Sequence, residues 1–164
     1  MEAIVSSRTL GAWFAAVVTI LAALPAAAEG PINVSLFPPI ALVQPGEGVS
    51  AFRLDLLYGK NTSVKVVDLG LINQTTTSSN GLQWGFINYN EGSFSGLQLA
   101  AISYNKGSAG GLQWSGFNYA GTASGLQLAF VNYAERLEGF QLGVLNIAKT
   151  GGMFPLMVIA NWKK

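Results

Sequence analysis

The chain has 164 residues, a length that fits one domain, and its formal net charge of +1 gives no electrostatic reason to expect nucleic acid as a partner. Cysteine and histidine are both absent, which excludes disulfides, thiol chemistry and a lipid-modified cysteine and removes the commonest general base and metal ligand. Only 10% of the residues are charged, where an ordinary soluble domain carries about a quarter.

The first thirty residues read as an address. Arg8 precedes an apolar run from Leu10 to Leu24, and Ala26-Ala27-Ala28 then forms an A-x-A cleavage site before Glu29. Residues 1–28 are therefore expected to be a signal peptide, the apolar run being shorter than the ~20 residues of a spanning helix. Residues 29–50 form an N-terminal lead-in and residues 51–164 a repeat domain. Within the lead-in, Pro31 to Pro45 reads as a strand interrupted at Pro38-Pro39 that plugs or caps one end of the repeats. Between Leu69 and Ala134 only Glu91 and Lys106 carry full charges at neutral pH. Such a stretch must bury nearly everything or face something other than water.

The repeat itself begins at Ala51. GLQWGFINYNEGSFS runs from Gly81 and GLQLAAISYNKGSAG from Gly96; further copies start at Gly111, Gly125 and Gly139. Two degenerate copies precede them, from Ala51 and Val66, and a looser one, FPLMVIANW, ends the series from Phe154 to Trp162. The period is 14 or 15 residues, over eight units. Each unit holds a stretch of strict apolar/polar alternation bounded by Gly, Asn, Ser or Thr, which is the period of a strand. Glycine recurring inside the apolar run argues against helix, at about 1 kcal/mol each relative to alanine. Asn90-Glu91-Gly92-Ser93, Asn105-Lys106-Gly107-Ser108 and Ala120-Gly121-Thr122 supply turns.

Alternation sorts the side chains into two faces. One is bulky and apolar, with Leu82, Trp84, Phe86, Leu97, Leu99, Leu112, Trp114, Leu126, Leu128 and Phe130. The other is small or polar, with Arg53, Asp55, Asp68, Gln83, Gln98, Gln113, Gln127 and Gln141.

Two all-β architectures can use this pattern. In an eight-stranded antiparallel outer-membrane barrel or meander, the bulky face meets lipid and the polar face fills the interior. Arg53, Asp55, Asp68 and the five glutamines then form a lumenal polar cluster. Trp84, Trp114 and Trp162 fall toward one side and read as membrane-interface aromatics. This barrel is the leading expectation. In a parallel β-solenoid, the alternative, one unit is one coil and the bulky face points into a narrow core. The shared phase of the five glutamines, and of Asn73, Asn88, Asn118, Asn132 and Asn146, suits in-register polar ladders. Against the solenoid, water would then meet Ile87, Tyr89, Ile102, Tyr104, Val131 and Tyr133. Trp84, Leu99, Trp114 and Leu128 also alternate over two units, as hairpins would.

From Ala51 to Trp162 the chain resembles bacterial surface-repeat proteins built from tandem G-[LVF]-Q-[LVI]-G-[LF]-[VI]-N units. Its Phe52–Gly59 and Val67–Asn73 look like that family's usual opening units. The resemblance implies a secreted outer-membrane or surface protein with no agreed catalytic activity, so no catalytic residue carries over. The chain departs from the pattern at Ser103, where asparagine is usual, and it ends in Lys163-Lys164 where a barrel-insertion signal ends in an aromatic residue.

No GxSxG, P-loop or HExxH motif is present, so neither an enzyme nor a cofactor is expected. Asp55 and Asp68 could form an acid/base pair, but an ion-pair cluster with Arg53 is the plainer reading. Tyr89, Tyr104, Tyr119 and Tyr133 could stack sugars or bases; a structural column is the plainer reading there too. The expected function is that of an exported, non-enzymatic outer-membrane or cell-surface protein with a structural or interaction role, the lipid bilayer being its partner. The alternative is a solenoid acting as adhesin or scaffold. Whether further copies are needed to cover the strand edges is left open by the sequence.

Overall fold

The computed structural model describes residues 29–164; the expected signal peptide lies outside them. The strands are β1 (Glu29–Phe37), β2 (Ile40–Ala41), β3 (Gly48–Val64), β4 (Val67–Asn90), β5 (Ser93–Ala123), β6 (Leu126–Leu137), β7 (Phe140–Thr150) and β8 (Leu156–Trp162). They make one sheet in the order β2-β1-β3-β4-β5-β6-β7-β8. From β1 and β3 through β7 every pairing between neighbours is parallel. Gly81 lies beside Gly96, Gln83 beside Gln98 and Ile87 beside Ile102. Each 14- or 15-residue unit is therefore one coil, stacked on the next at the usual strand spacing of about 4.8 Å.

This overturns the barrel. Antiparallel strands need a chain reversal between neighbours, whereas here the Asn-Glu-Gly-Ser and Asn-Lys-Gly-Ser segments are corners that carry the chain round to the next coil in the same direction. The architecture is the alternative, a parallel β-solenoid, but with its faces exchanged relative to expectation. Gln83, Gln98, Gln113, Gln127 and Gln141 are buried, while Trp84, Phe86, Trp114, Phe130 and Val144 are exposed. The terminal units differ as well. Phe154–Trp162 is not a further coil, because β8 runs antiparallel to β7. The lead-in instead supplies a first rung, with Asn33 beside Arg53 and Ser35 beside Asp55.

The interior is narrow, and polar side chains fill it in columns. Gln98 Nε2 donates to Gln83 Oε1 at 2.7 Å, Gln113 to Gln98 at 3.0 Å, Gln127 to Gln113 at 2.8 Å and Gln141 to Gln127 at 2.8 Å. A second column runs through Asn73, Asn88, Asn118, Asn132 and Asn146. Each of Asn73, Asn88, Asn118 and Asn132 donates to a backbone carbonyl of the following coil, at 3.0–3.1 Å. An amide both donates and accepts, so identical amides at one coil's spacing satisfy each other along the axis. That removes most of the penalty of burying them. Ser103 breaks the asparagine column, and the neighbouring coil compensates: Ser115 stands where other coils carry Gly85, Ala100 or Gly143, and the two hydroxyls meet at 2.6 Å.

Buried apolar side chains are few and mostly small, and they gather mainly in two clusters. Val43, Val49 and Val64 form one cluster; Ala109, Ala120, Ala123, Ala134, Leu137 and Ala148 form another. The coil corner at Gly96 and Gly111 requires glycine, with φ of 130° and 85°. A Cβ there would lie 2.1 Å from the Gly81 carbonyl oxygen and 2.2 Å from that of Gly96.

Candidate functional site

The first half of each coil places alternate side chains outward, and parallel stacking lines these up into columns. One column carries Leu82, Leu97, Leu112, Leu126 and Phe140; the next carries Trp84, Leu99, Trp114, Leu128 and Leu142. The result is a wall of sheet without a charged side chain. Trp84 is 60% exposed, Trp114 62% and Phe130 73%. Trp162 closes the wall at its C-terminal end, its ring stacked on Phe140 at 6.2 Å. The three tryptophans expected at a membrane interface thus lie on one face of the solenoid. Between the aromatic posts the wall has two shallow hollows of about 550 and 510 Å³, floored by small residues that include Ala101, Gly116, Ala129 and Gly143.

The expected polar cluster is assembled, but inside the coil stack. Arg53, Asp68, Gln83, Gln98, Gln113, Gln127 and Gln141 follow one another in a single column, with Asp55 beside it. Arg53 grips Asp68 through two hydrogen bonds of 2.7 Å, from Nε and Nη2, and its Nε lies 3.0 Å from Asp55 Oδ2. Burial works against the guanidinium charge, yet Asp68 and then Asp55 hold its pKa above the ordinary value. Three partners had no part in the sequence-based cluster: Ser35 donates to Asp55 Oδ1, and Asn61 accepts from both Asn33 and Arg53. Their signal was available, since the alternation of Asn33 and Ser35 mirrors that of Arg53 and Asp55. Asp55 also fills a vacancy. Gly59 occupies the asparagine column, and a Cβ there would fall 1.6 Å from Asp55 Oδ2. Neither carboxylate opens onto the surface.

Burial pushes the Asp55 carboxyl up from its ordinary 3.8 to about 6, despite Arg53. A folded pKa above the unfolded one means that the fold takes up a proton between the two values. This contribution to stability is fully present below about pH 4 and is lost as pH rises through 6. Stability should therefore fall by on the order of 2–3 kcal/mol between pH 4 and 6 from this group alone. Urea titrations against pH test this: Asp55→Asn, which keeps the acceptor for Ser35, should flatten that slope, and an unchanged slope would contradict it.

On the second half of the coil, Tyr89, Tyr104, Tyr119 and Tyr133 stack nearly parallel, with ring centroids 5.4, 4.3 and 5.3 Å apart. Lys106 lies 5.7 Å over the Tyr89 ring and Lys149 5.7 Å over that of Tyr133. The rings thus stack on one another, with an ammonium group over the first and the last, which accords with the plainer reading of a structural column. Burial, with Glu135 close by, pushes the Tyr119 phenol up to about 12.

No protein-family model, curated protein or solved structure matches the chain. The functional reading therefore rests on its own residues.

Proposed function

We propose that this chain is an exported, non-enzymatic β-solenoid that serves as a scaffold or adhesin at the outer membrane or cell surface, with its apolar wall laid against the lipid bilayer. The observation that carries this reading is the inversion of the usual arrangement: amides fill the interior while Trp84, Phe86, Trp114, Phe130 and Val144 stand outside. A contiguous apolar surface beyond a few hundred Å² marks an interaction site. This one is flat and uncharged, which fits a bilayer surface, and its aromatic residues suit the interfacial zone. At about 1–2 kcal/mol for each of the five side chains, burying the wall supplies enough for binding near the micromolar range. The resemblance to surface-repeat proteins and the A-x-A site before Glu29 support export.

The test is flotation of the purified protein with phosphatidylcholine vesicles, with tryptophan emission read in parallel. Binding should shift the emission to the blue, brominated acyl chains should quench it, and about 0.5 M salt should leave it unchanged because the wall carries no charge. Trp114→Lys should weaken binding about tenfold or more. Absence of both flotation and quenching in the wild type would sink the bilayer reading.

A further inference from the structure

The two ends of the solenoid are finished differently. At the N-terminal end the chain folds back over β1. Strand β2 pairs antiparallel with β1, Leu42 N–H donates to Val34 O at 3.2 Å, and Val43 N–H donates to Asn33 Oδ1 at 3.0 Å. The covering segment contains Pro38, Pro39 and Pro45, which have no N–H to offer. That end is closed to another strand, much as the lead-in was expected to cap it.

The C-terminal end is partly open: residues 151–153 cover the outer side of residues 162–164, with Met153 N–H donating to Trp162 O and Lys164 N–H to Gly151 O, while among the described residues no strand lies beyond residues 156–160. Strand β8 is last in the sheet, and its seven residues, LMVIANW, include no charge and no proline. Natural edge strands are often blunted by charge or proline, which here stand only just outside the strand, as Pro155 and Lys163-Lys164. Ala148 N–H donates to Pro155 O at 3.0 Å, so the next residue, Leu156, turns its N–H and C=O away from β7. Further along, Lys163 N–H donates to Gly139 O, while the Trp162 carbonyl turns outward to accept from Met153. By the same alternation Ala160 also faces outward. Ile159 holds φ at +71°, a left-handed conformation costly for a β-branched residue. Leu156, Val158 and Ile159 are each more than half exposed.

From this edge we infer that β8 pairs with β8 of a second copy of the chain, antiparallel about a two-fold axis. An identical strand is the partner that the geometry fits. The edge is self-complementary under a two-fold axis, and the sealed N-terminal end bars the head-to-tail stacking that would grow a filament. Met153, Phe154, Leu156, Val158 and Ile159 expose on the order of 100 Å² each, an upper bound of roughly 500 Å² per partner, which places the pairing among the smaller specific interfaces. Since Ala160 lies beside Leu142 and Trp162 stacks on Phe140, pairing would also join two apolar walls into one.

Sedimentation equilibrium of the purified protein tests this, independently of lipid binding. The wild type should run at twice the chain mass, and Leu156→Lys/Val158→Lys at the single-chain mass. Because both positions are exposed, the double variant should melt where the wild type does at concentrations too low for pairing. Trp114→Lys, on the wall and away from the edge, should remain dimeric. Amide exchange serves as a second readout if the double variant fails to fold: the Leu156 and Ala160 amides should be protected in the wild type and exchange as free edge groups on dilution. A wild type that stays monomeric at about 100 µM, well above a micromolar Kd, would overturn the inference. So would a double-lysine variant that stays dimeric, a Trp114→Lys variant that dissociates, or edge amides that exchange freely at every concentration.

Discussion

Replacing Arg53 by methionine should cost about 3–5 kcal/mol in unfolding free energy, a large share of the ~5–15 kcal/mol that holds a domain together. Arg53 is fully buried and donates to four acceptors, both oxygens of Asp68, the Gln74 carbonyl at 2.9 Å and Asn61 Oδ1 at 3.3 Å, and it forms an ion pair with Asp55 Oδ2 at 3.0 Å. Methionine has similar reach and no charge, so it would leave two carboxylates buried side by side with nothing to neutralise them. Lysine should rescue little, since a point charge cannot reproduce the fork that holds Asp68 at both oxygens. Urea denaturation of Arg53→Met, with and without Asp55→Asn and Asp68→Asn, separates the causes. If the unpaired charge is the reason, the triple variant recovers most of the loss; a triple variant as unstable as Arg53→Met would mean that lost shape matters more.

Gln98→Ala should be nearly as severe, at about 3–5 kcal/mol, and Gln141→Ala should cost about half as much. Gln98 sits mid-ladder. Its Nε2 donates to Gln83, while its Oε1 accepts from Asn105 at 2.9 Å and from Gln113 at 3.0 Å. Truncation leaves both of those donors facing a void at about 1–3 kcal/mol each. Gln141 stands at the ladder's end, where its Nε2 donates to Gln127 and to Ile147 O, and its Oε1 has no partner to lose. Equal losses at the two positions, measured by the same urea titrations, would show that the ladder does not act as a chain of mutually dependent bonds.

Much of this fold was legible in the residues. The phase of Gln83, Gln98, Gln113, Gln127 and Gln141 placed them on one face of successive strands, and the ladder that they form follows once those strands stack in parallel and in register. The grouping of Arg53, Asp55 and Asp68 was legible for the same reason, because alternation put all three on the polar face. The misreading concerned how neighbouring strands run. Asn-Glu-Gly-Ser serves a hairpin turn and a solenoid corner equally well, since both need residues that tolerate turn conformations. The alternation of Trp84, Leu99, Trp114 and Leu128 suggested hairpins, yet these four residues occupy consecutive rungs of one outer column.

The sequence by itself determined strands, their 14–15-residue period and the two unlike faces, because side-chain alternation and turn chemistry act locally. Tertiary structure alone decided that the strands stack in parallel, and that the polar face, which a barrel would also turn inward, fills a coil stack rather than a lumen. Hydrophobicity by itself puts Leu and Trp inside and Gln outside. That preference is reversed only where an amide finds its copy one coil away, at a distance that satisfies both. Such a partner exists in the stacked solenoid and nowhere in the chain taken residue by residue.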